Sequence, residues 1–319
     1  MAKDLVITNT ERQFILDLLA NSQRLDGRKS LLQQRDLNIN ITPNRYGDIY
    51  LELKRDDGSI ATRLHCKVTA EIVKPKDQRP FEGTFYINCE FNGLAGLNFE
   101  NYKVGNNSDE FYYGRLIESM ILRSNALDLE QLCIVAGLKV WNIRVDVHVL
   151  EFDGGFLELA SIGCMTALLH YRRPDVTVRN EKVTIHSFDE KEGVKLGVLH
   201  IPIALQFNLF PLKETAEIIK TNTSSENNNE LVVLDCTLKE DLLKDGEFII
   251  ALNKNREIVQ LNKPGGIPIS ASKIVEFSHM ALPIIEETTN KILKAIDIDE
   301  KKRNKYAHLL SAENDRYVE

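Results

Sequence analysis

Trp141-Asn142-Ile143-Arg144-Val145-Asp146-Val147-His148-Val149 alternates apolar and polar residues without a break, then reaches Asp153-Gly154-Gly155 and an apolar run from Leu157 to Tyr171. Successive side chains of a strand point to opposite faces, so this pattern predicts a half-buried strand. The turn and the apolar run behind it predict a strand-to-helix junction. Trp141, the only tryptophan, is expected to pack in the core.

The same reading extends upstream. Phe14, Ile15, Leu18 and Leu19 recur at helical spacing, which predicts a helix over 8–22 capped by Thr8 or Thr10. Leu37, Ile39 and Ile41 alternate with polar residues, as do Ile49, Leu51 and Leu53. Asp57-Gly58 is a turn signal before a strand from Ile60 to Val73, and Phe85 to Phe91 is a further strand. Leu116, Ile117, Met120 and Ile121 share one face of a helix over 109–124, and Gly137 interrupts the apolar stretch that follows.

Downstream, Pro174 marks a break, with a hairpin near Val176 to Ile185. Leu199, Ile201, Ile203, Leu205 and Phe207 alternate as one strand. Thr221 to Glu230 reads as a polar surface loop. Strands at Leu231–Leu234, Phe248–Leu252 and Glu257–Leu261 surround a short helix near Leu238 to Leu243, and Pro264-Gly265-Gly266 closes the unit. A long helix runs from Ser270 or Ser272 to Ile296, kinked at Pro283. Asp297 to Glu319 is charged and peripheral, and its Lys301-Lys302-Arg303 fits either a nuclear address or solvated helix surface. The fold class is α+β: two sheet-and-helix halves in one compact body, with a helix at 1–23, halves at 24–173 and 174–297, and a tail at 298–319.

At 319 residues and 43% hydrophobic, the chain can bury one large core or two small ones. No apolar run follows Met1-Ala2-Lys3-Asp4 and none approaches membrane-spanning length, so a soluble intracellular protein is expected. The five cysteines form no Cys-x-x-Cys pair; buried thiols in a reducing compartment are expected, with no metal site and no cofactor. A net charge of -7 argues against a free-standing nucleic-acid binder. RNA contact through local arginines, on one wall of a larger assembly, stays open.

Three features carry chemistry. Arg24-Leu25-Asp26-Gly27-Arg28 is a charged turn, which Asp–Arg pairing alone would explain. Arg79-Pro80-Phe81-Glu82-Gly83 is a proline-directed strand entry. Asp153-Gly154-Gly155 is either a structural turn or an anion site at a helix N-terminus. In this order they resemble the RNase PH family, in its exosome-type members, over 24–290. Arg123-Ser124-Asn125-Ala126-Leu127-Asp128-Leu129 resembles the run after that family's first long helix. Cys133-Ile134-Val135-Ala136-Gly137, Asn253-Lys254-Asn255-Arg256-Glu257 and Lys302 to Ala307 are similar to fungal forms of one exosome ring subunit.

The resemblance implies an RNase PH-like fold, of the ribosomal S5 domain 2-like kind. It also implies a place in a six-membered hetero-oligomeric ring of RNase PH-like exosome subunits. S1/KH cap subunits and a hydrolytic RNase R-class nuclease are the further partners it implies, with RNA threaded between them. The implied work is 3′-to-5′ RNA processing and degradation, including rRNA maturation and mRNA turnover, in nucleus, nucleolus and cytoplasm. Active relatives hold phosphate with Gly-(Ser/Thr)-Arg at a helix start. Here Phe156 and Leu157 follow Gly155, and neither can hold an anion. Active relatives also carry two aspartates six residues apart, proposed to hold a metal and manage protons. Asp235 and Asp241 have that spacing, so phosphate-dependent exoribonuclease activity is the alternative to a non-catalytic subunit. Arg79, Arg115 and Arg123 are the candidate RNA contacts, with pairing to Glu118, Glu82 or a neighbouring chain as the alternative. The resemblance places Arg115 at an RNA-steering position and Ser119 where a basic residue is common.

Overall fold

The computed structural model describes residues 7–93, 95, 108–179, 182–188, 190–211 and 230–303. The first helix, α1 (Asn9–Ala20), starts at Thr8, whose hydroxyl accepts from Glu11 N while Glu11 answers the Thr8 backbone. Then come β1 (Asp36–Ile41), β2 (Asp48–Lys54), β3 (Ile60–Val73), β4 (Thr84–Phe91), α2 (Ser108–Arg123), β5 (Cys133–Val135), β6 (Lys139–Glu151) and α3 (Phe156–His170).

These strands make one sheet in the order β1-β2-β3-β6-β4, with β5 paired to β6. β4 and β6 run parallel, because α2 carries the chain back between them; the other pairs are antiparallel. The alternation in β6 holds: Trp141, Ile143, Val145, Val147 and Val149 are buried, at most 1% exposed. They meet Ile49, Leu51 and Leu64 of the neighbouring strands and the two helices behind them. α3 is buried almost all round, which its continuous apolar run demands.

The second half holds the short pairs β7 (Arg172–Arg173) with β10 (Val194–Lys195) and β8 (Val176–Arg179) with β9 (Lys182–Ile185). Its main sheet joins β11 (Ile203–Pro211), β12 (Glu230–Leu234), β13 (Gly246–Leu252) and β14 (Ile258–Gly266) in the order β12-β11-β13-β14. α4 (Leu238–Asp241) is one turn, and α5 (Ala271–Arg303) lies across the sheet through Phe277, Ala281 and Ile285. One apolar cluster spans both halves.

Three readings change. Leu199 and Ile201 are not part of the strand: Pro202 lacks an N–H, β11 starts after it, and Leu199 is 67% exposed. Pro264-Gly265-Gly266 does not close the unit but continues β14, which tolerates a proline because it is the sheet edge. α5 runs to Arg303, beyond the expected Ile296; there Arg303 bonds Asp299 and the Thr42 and Arg45 carbonyls, so one of the three basic residues is a structural tie. Most of the Thr221–Glu230 loop and the residues after 303 lie outside the described residues. Cys66, Cys89, Cys164 and Cys236 are buried free thiols, and Cys133 is partly exposed.

Candidate functional site

The β6–α3 junction is a left-handed turn, with Gly154 at φ 78° and Gly155 at φ 69°. Glycine is needed here for space as well as backbone angle. A Cβ on Gly155 would lie 2.6 Å from Asp235 Oδ1 and 2.7 Å from Arg35 Nη2. Asp235 therefore sits against the start of α3, where the resemblance implies a bound anion. It follows β12 at φ 49°, a conformation aspartate tolerates, and that turn aims its carboxylate inward.

The carboxylate is fully engaged. Arg35 donates to it from Nη2 at 2.5 Å, Nε at 2.9 Å and its backbone N at 2.9 Å, and Arg28 Nη1 donates at 3.2 Å. Arg28 Nε also donates to Asp26 at 2.7 Å, so the charged turn is held by Asp–Arg pairing and by the second half together. Arg24 donates to the Leu234 and Asp235 carbonyls and to Glu240 at 2.5 Å. Arg35 Nη1 reaches the Asp153 carbonyl at 2.8 Å and closes the circuit onto the junction. Arg24, Arg28, Arg35, Asp235 and Glu240 are all at most 5% exposed. Burial alone would raise the Asp235 carboxyl, but Arg35 and then Arg28 outweigh it and hold the group below its ordinary range.

Glu158, in the first turn of α3, is buried beside this cluster. Burial first, and the Asp235 charge second, push its carboxyl up to about 8. A raised carboxyl keeps its proton in the fold, so its contribution to stability is complete below about 4.5 and is lost as pH rises through about 8. Glu158→Gln removes that loss. In urea titrations, the stability of the variant relative to the native chain is expected to increase steadily across this window. A parallel pair of profiles would show that Glu158 is charged in the fold.

Phe156 and Leu157 are 4% and 1% exposed, and the Phe156 ring packs against Phe91 and Tyr113 with centroids 4.7 and 5.1 Å apart. The helix start is closed by hydrocarbon. Asp241 points elsewhere, to Lys244 at 2.8 Å. Among the described residues, no cluster of three or more His, Cys, Asp or Glu is placed to hold a metal ion. The arrangement binds the two halves together; Phe156 and Leu157 offer no donor to a phosphate, and Arg55 beside the junction is paired with Asp153 at 2.8 Å.

A second site lies along α2 and β4. A groove of about 550 Å³ is lined by Lys76, Arg79, Glu82 and Glu118, and an adjoining groove of about 400 Å³ by Tyr86, Phe111, Arg115, Glu118 and Arg144. Glu118 lines both, so Arg79 and Arg115 stand on one track. Both are exposed and, among the described residues, carry local ion pairs alone, Arg79 with Glu82 at 2.9 Å and Arg115 with Glu118 at 3.0 Å. Arg123 is exposed at the end of α2 and lines neither groove. Sequence reading missed Arg35, Glu158 and Glu240, whose partners are far away along the chain, Arg144, which was taken only as the polar face of a strand, and Tyr86, which was not singled out within its strand.

Comparison with known proteins bears on both sites. Residues 33–174 match domain 1 of the 3′ exoribonuclease family (RNase PH), and residues 224–282 match its domain 2. The chain is 43% identical to the exosome complex component RRP45 of Saccharomyces cerevisiae over 318 residues, covering 100% of each. It is 38% identical to that of Schizosaccharomyces pombe, covering 99% of this chain and 100% of the relative. With the human RRP45 it shares 34% identity over 94% of this chain and 63% of the longer human protein. Among solved structures, a chain of the Archaeoglobus fulgidus exosome with RNA bound to the active site superposes with a TM-score of 0.68 at 24% identity, covering 89% of this chain and 98% of that one. A chain of an archaeal exosome core does so at 0.64 and 21%, covering 89% and 96%. These two likenesses establish the fold.

Proposed function

The chain belongs to the 3′ exoribonuclease (RNase PH) family, and from that premise we propose that it is a subunit of the exosome core ring that performs no phosphorolysis itself. It is a structural part of the machinery for 3′-to-5′ RNA processing and degradation. The full-length identity to exosome components supports the assembly, and the closed start of α3 supports the silence. The carrying observation is Asp235: its carboxylate is spent on Arg35 and Arg28 at the place where a phosphate would have to sit.

Phosphorolysis needs a phosphate held in line with the scissile bond, by donors aimed at its oxygens. Phe156 and Leu157 offer none. The alternative, an active exoribonuclease using Asp235 and Asp241, needs both carboxylates turned to one metal or one proton. Asp235 is turned to arginines and Asp241 to Lys244.

In this reading the chain contributes one wall of the RNA path. Arg79 and Arg115 touch RNA from the α2 track, and Arg123 from the end of that helix. S1/KH cap subunits and a hydrolytic RNase R-class nuclease complete the complex, which works in nucleus, nucleolus and cytoplasm. The assembly is tested by gentle affinity purification followed by native mass measurement. The expected result is a complex holding this chain once among related but distinct subunits, with the isolated chain self-associating, because obligate interfaces of roughly 2,000 Å² or more leave apolar surface uncovered. A stable monomer at micromolar concentration with no partners rules the ring out.

A further inference from the structure

The adjoining groove pairs two aromatic rings with two guanidinium groups. Tyr86 on β4 faces away from the core and is 37% exposed, and Phe111 on α2 is 71% exposed. The Arg144 guanidinium lies 5.9 Å from the Tyr86 centroid, and that of Arg115 lies 5.7 Å from the Phe111 centroid. The backbone fixes the first pair, because Tyr86 and Arg144 are direct partners in the parallel β4–β6 ladder. It fixes the second because residues four apart share one helix face. Gly114 lets α2 approach the β4 edge: a Cβ there would lie 3.3 Å from the Ile87 carbonyl oxygen. The rings and cations therefore surround one groove of about 400 Å³.

We propose that this shelf is a base-stacking subsite for single-stranded RNA, with Tyr86 and Phe111 offering ring faces to bases and Arg144 and Arg115 taking the flanking phosphates. This rests on the reading of the chain as one wall of an RNA path. It extends that path beyond Arg79, Arg115 and Arg123 to residues that act by stacking. The chemistry suits a single strand: every base has a π-face, and a guanidinium binds phosphate oxygens in a fork. The acids do not block it. Glu118 pairs with Arg115 in an exposed i,i+3 contact, which a phosphate can displace; Glu110, which also lines the groove, is 5% exposed and accepts from Phe91 N at 2.9 Å; and Asp146 takes the Nε edge of Arg144 at 2.6 Å.

The test uses the assembled ring and fluorescence anisotropy with two probes of equal length, an oligoadenylate and an oligonucleotide of abasic ribose phosphate. Tyr86→Ala and Phe111→Ala are each expected to weaken oligoadenylate binding about tenfold. They should leave abasic binding and the salt dependence unchanged, and Tyr86→Phe should bind as the native ring does. Arg144→Ala should weaken both probes and make the slope of log affinity against log salt shallower by about 0.7. If the aromatic variants bind normally while Arg79→Ala with Arg115→Ala loses affinity, the shelf is overturned and the RNA wall survives. If no variant changes binding, both readings fall. Equal losses on both probes for Tyr86→Ala, or failure of the variant rings to assemble, would assign this face to structure or protein contact and overturn the proposal.

Discussion

Asp235→Asn is expected to destabilise the chain by about 3–5 kcal/mol, the usual loss when one partner of a buried ion cluster is removed. The substitution keeps the shape and removes the charge. Arg35, 5% exposed, then keeps only the distant Asp153 carboxylate at 3.9 Å among the described residues, and Arg28, 3% exposed, keeps only Asp26. An asparagine also cannot accept from the Arg35 Nε, Nη2 and backbone N–H together, because half of its terminal group is a donor. Chemical denaturation of the purified chain measures the effect. Arg35→Met added to Asp235→Asn should restore part of the loss, since the buried cation goes with its partner. By resemblance, Asp235 matches half of the paired aspartates of active relatives, and in a silent subunit its loss is expected to leave RNA turnover nearly unchanged. The geometry refines that: RNA turnover falls only as far as the ring fails to form, and turnover per assembled ring stays constant. A loss below about 1 kcal/mol would mean that Arg35 and Arg28 find solvent or another acceptor.

Gly154→Ala is expected to be at least as severe, costing more than about 4 kcal/mol or preventing accumulation of folded protein. At φ 78° an alanine is strained before any neighbour is considered. Its Cβ would also sit well inside contact distance of the Cys236 carbonyl oxygen and 3.0 Å from the Thr237 carbonyl carbon. That backbone cannot retreat. Thr237, at the start of α4, donates its backbone N–H to Glu240 at 2.9 Å, and Glu240 is held by Arg24. Gly58→Ala is the control: it has φ 81° with nothing within 4 Å of the added carbon, so it carries backbone strain alone, about 1–2 kcal/mol. Soluble expression and thermal melts of the two variants separate clash from strain. Equal behaviour would show that the junction yields and that the two halves are not tightly clamped there.

The elements that sequence made legible were those whose signal is local. β6 and α3 declare themselves by period 2 and by an unbroken apolar run. Asp57-Gly58 marked its turn because glycine supplies the positive φ that the turn requires. The strand start at Leu199 was misread because periodicity ignores Pro202, which has no N–H for the ladder. The continuation of β14 through Pro264 was missed because an edge strand relaxes the rule that makes proline a terminator. The ion cluster was invisible for a different reason. Arg35 and Asp235 are separated by 200 positions, and neither has a local pattern that distinguishes it from a surface charge. The closed helix start, by contrast, was readable from Phe156 and Leu157, because an apolar side chain cannot bind an anion in any setting. The aromatic shelf fell between these cases: Arg144 was recognisable as an outward position of its strand, but its pairing with Tyr86 depended on the parallel register of β4 and β6.

The most direct test of silence at this site is product analysis of the purified native complex, given 3′-hydroxyl RNA with inorganic phosphate and magnesium. Phosphorolysis releases nucleoside diphosphates and hydrolysis releases monophosphates, so the product identifies the reaction whichever nuclease is bound. Asp241 is the residue to vary, because it is partly exposed and pairs only with Lys244 among the described residues, whereas changing Asp235 disturbs the fold. The account predicts that neither the native complex nor the complex with Asp241→Asn forms diphosphates through this chain. Phosphate-dependent release of nucleoside diphosphates that disappears in Asp241→Asn, with the ring intact, would contradict it.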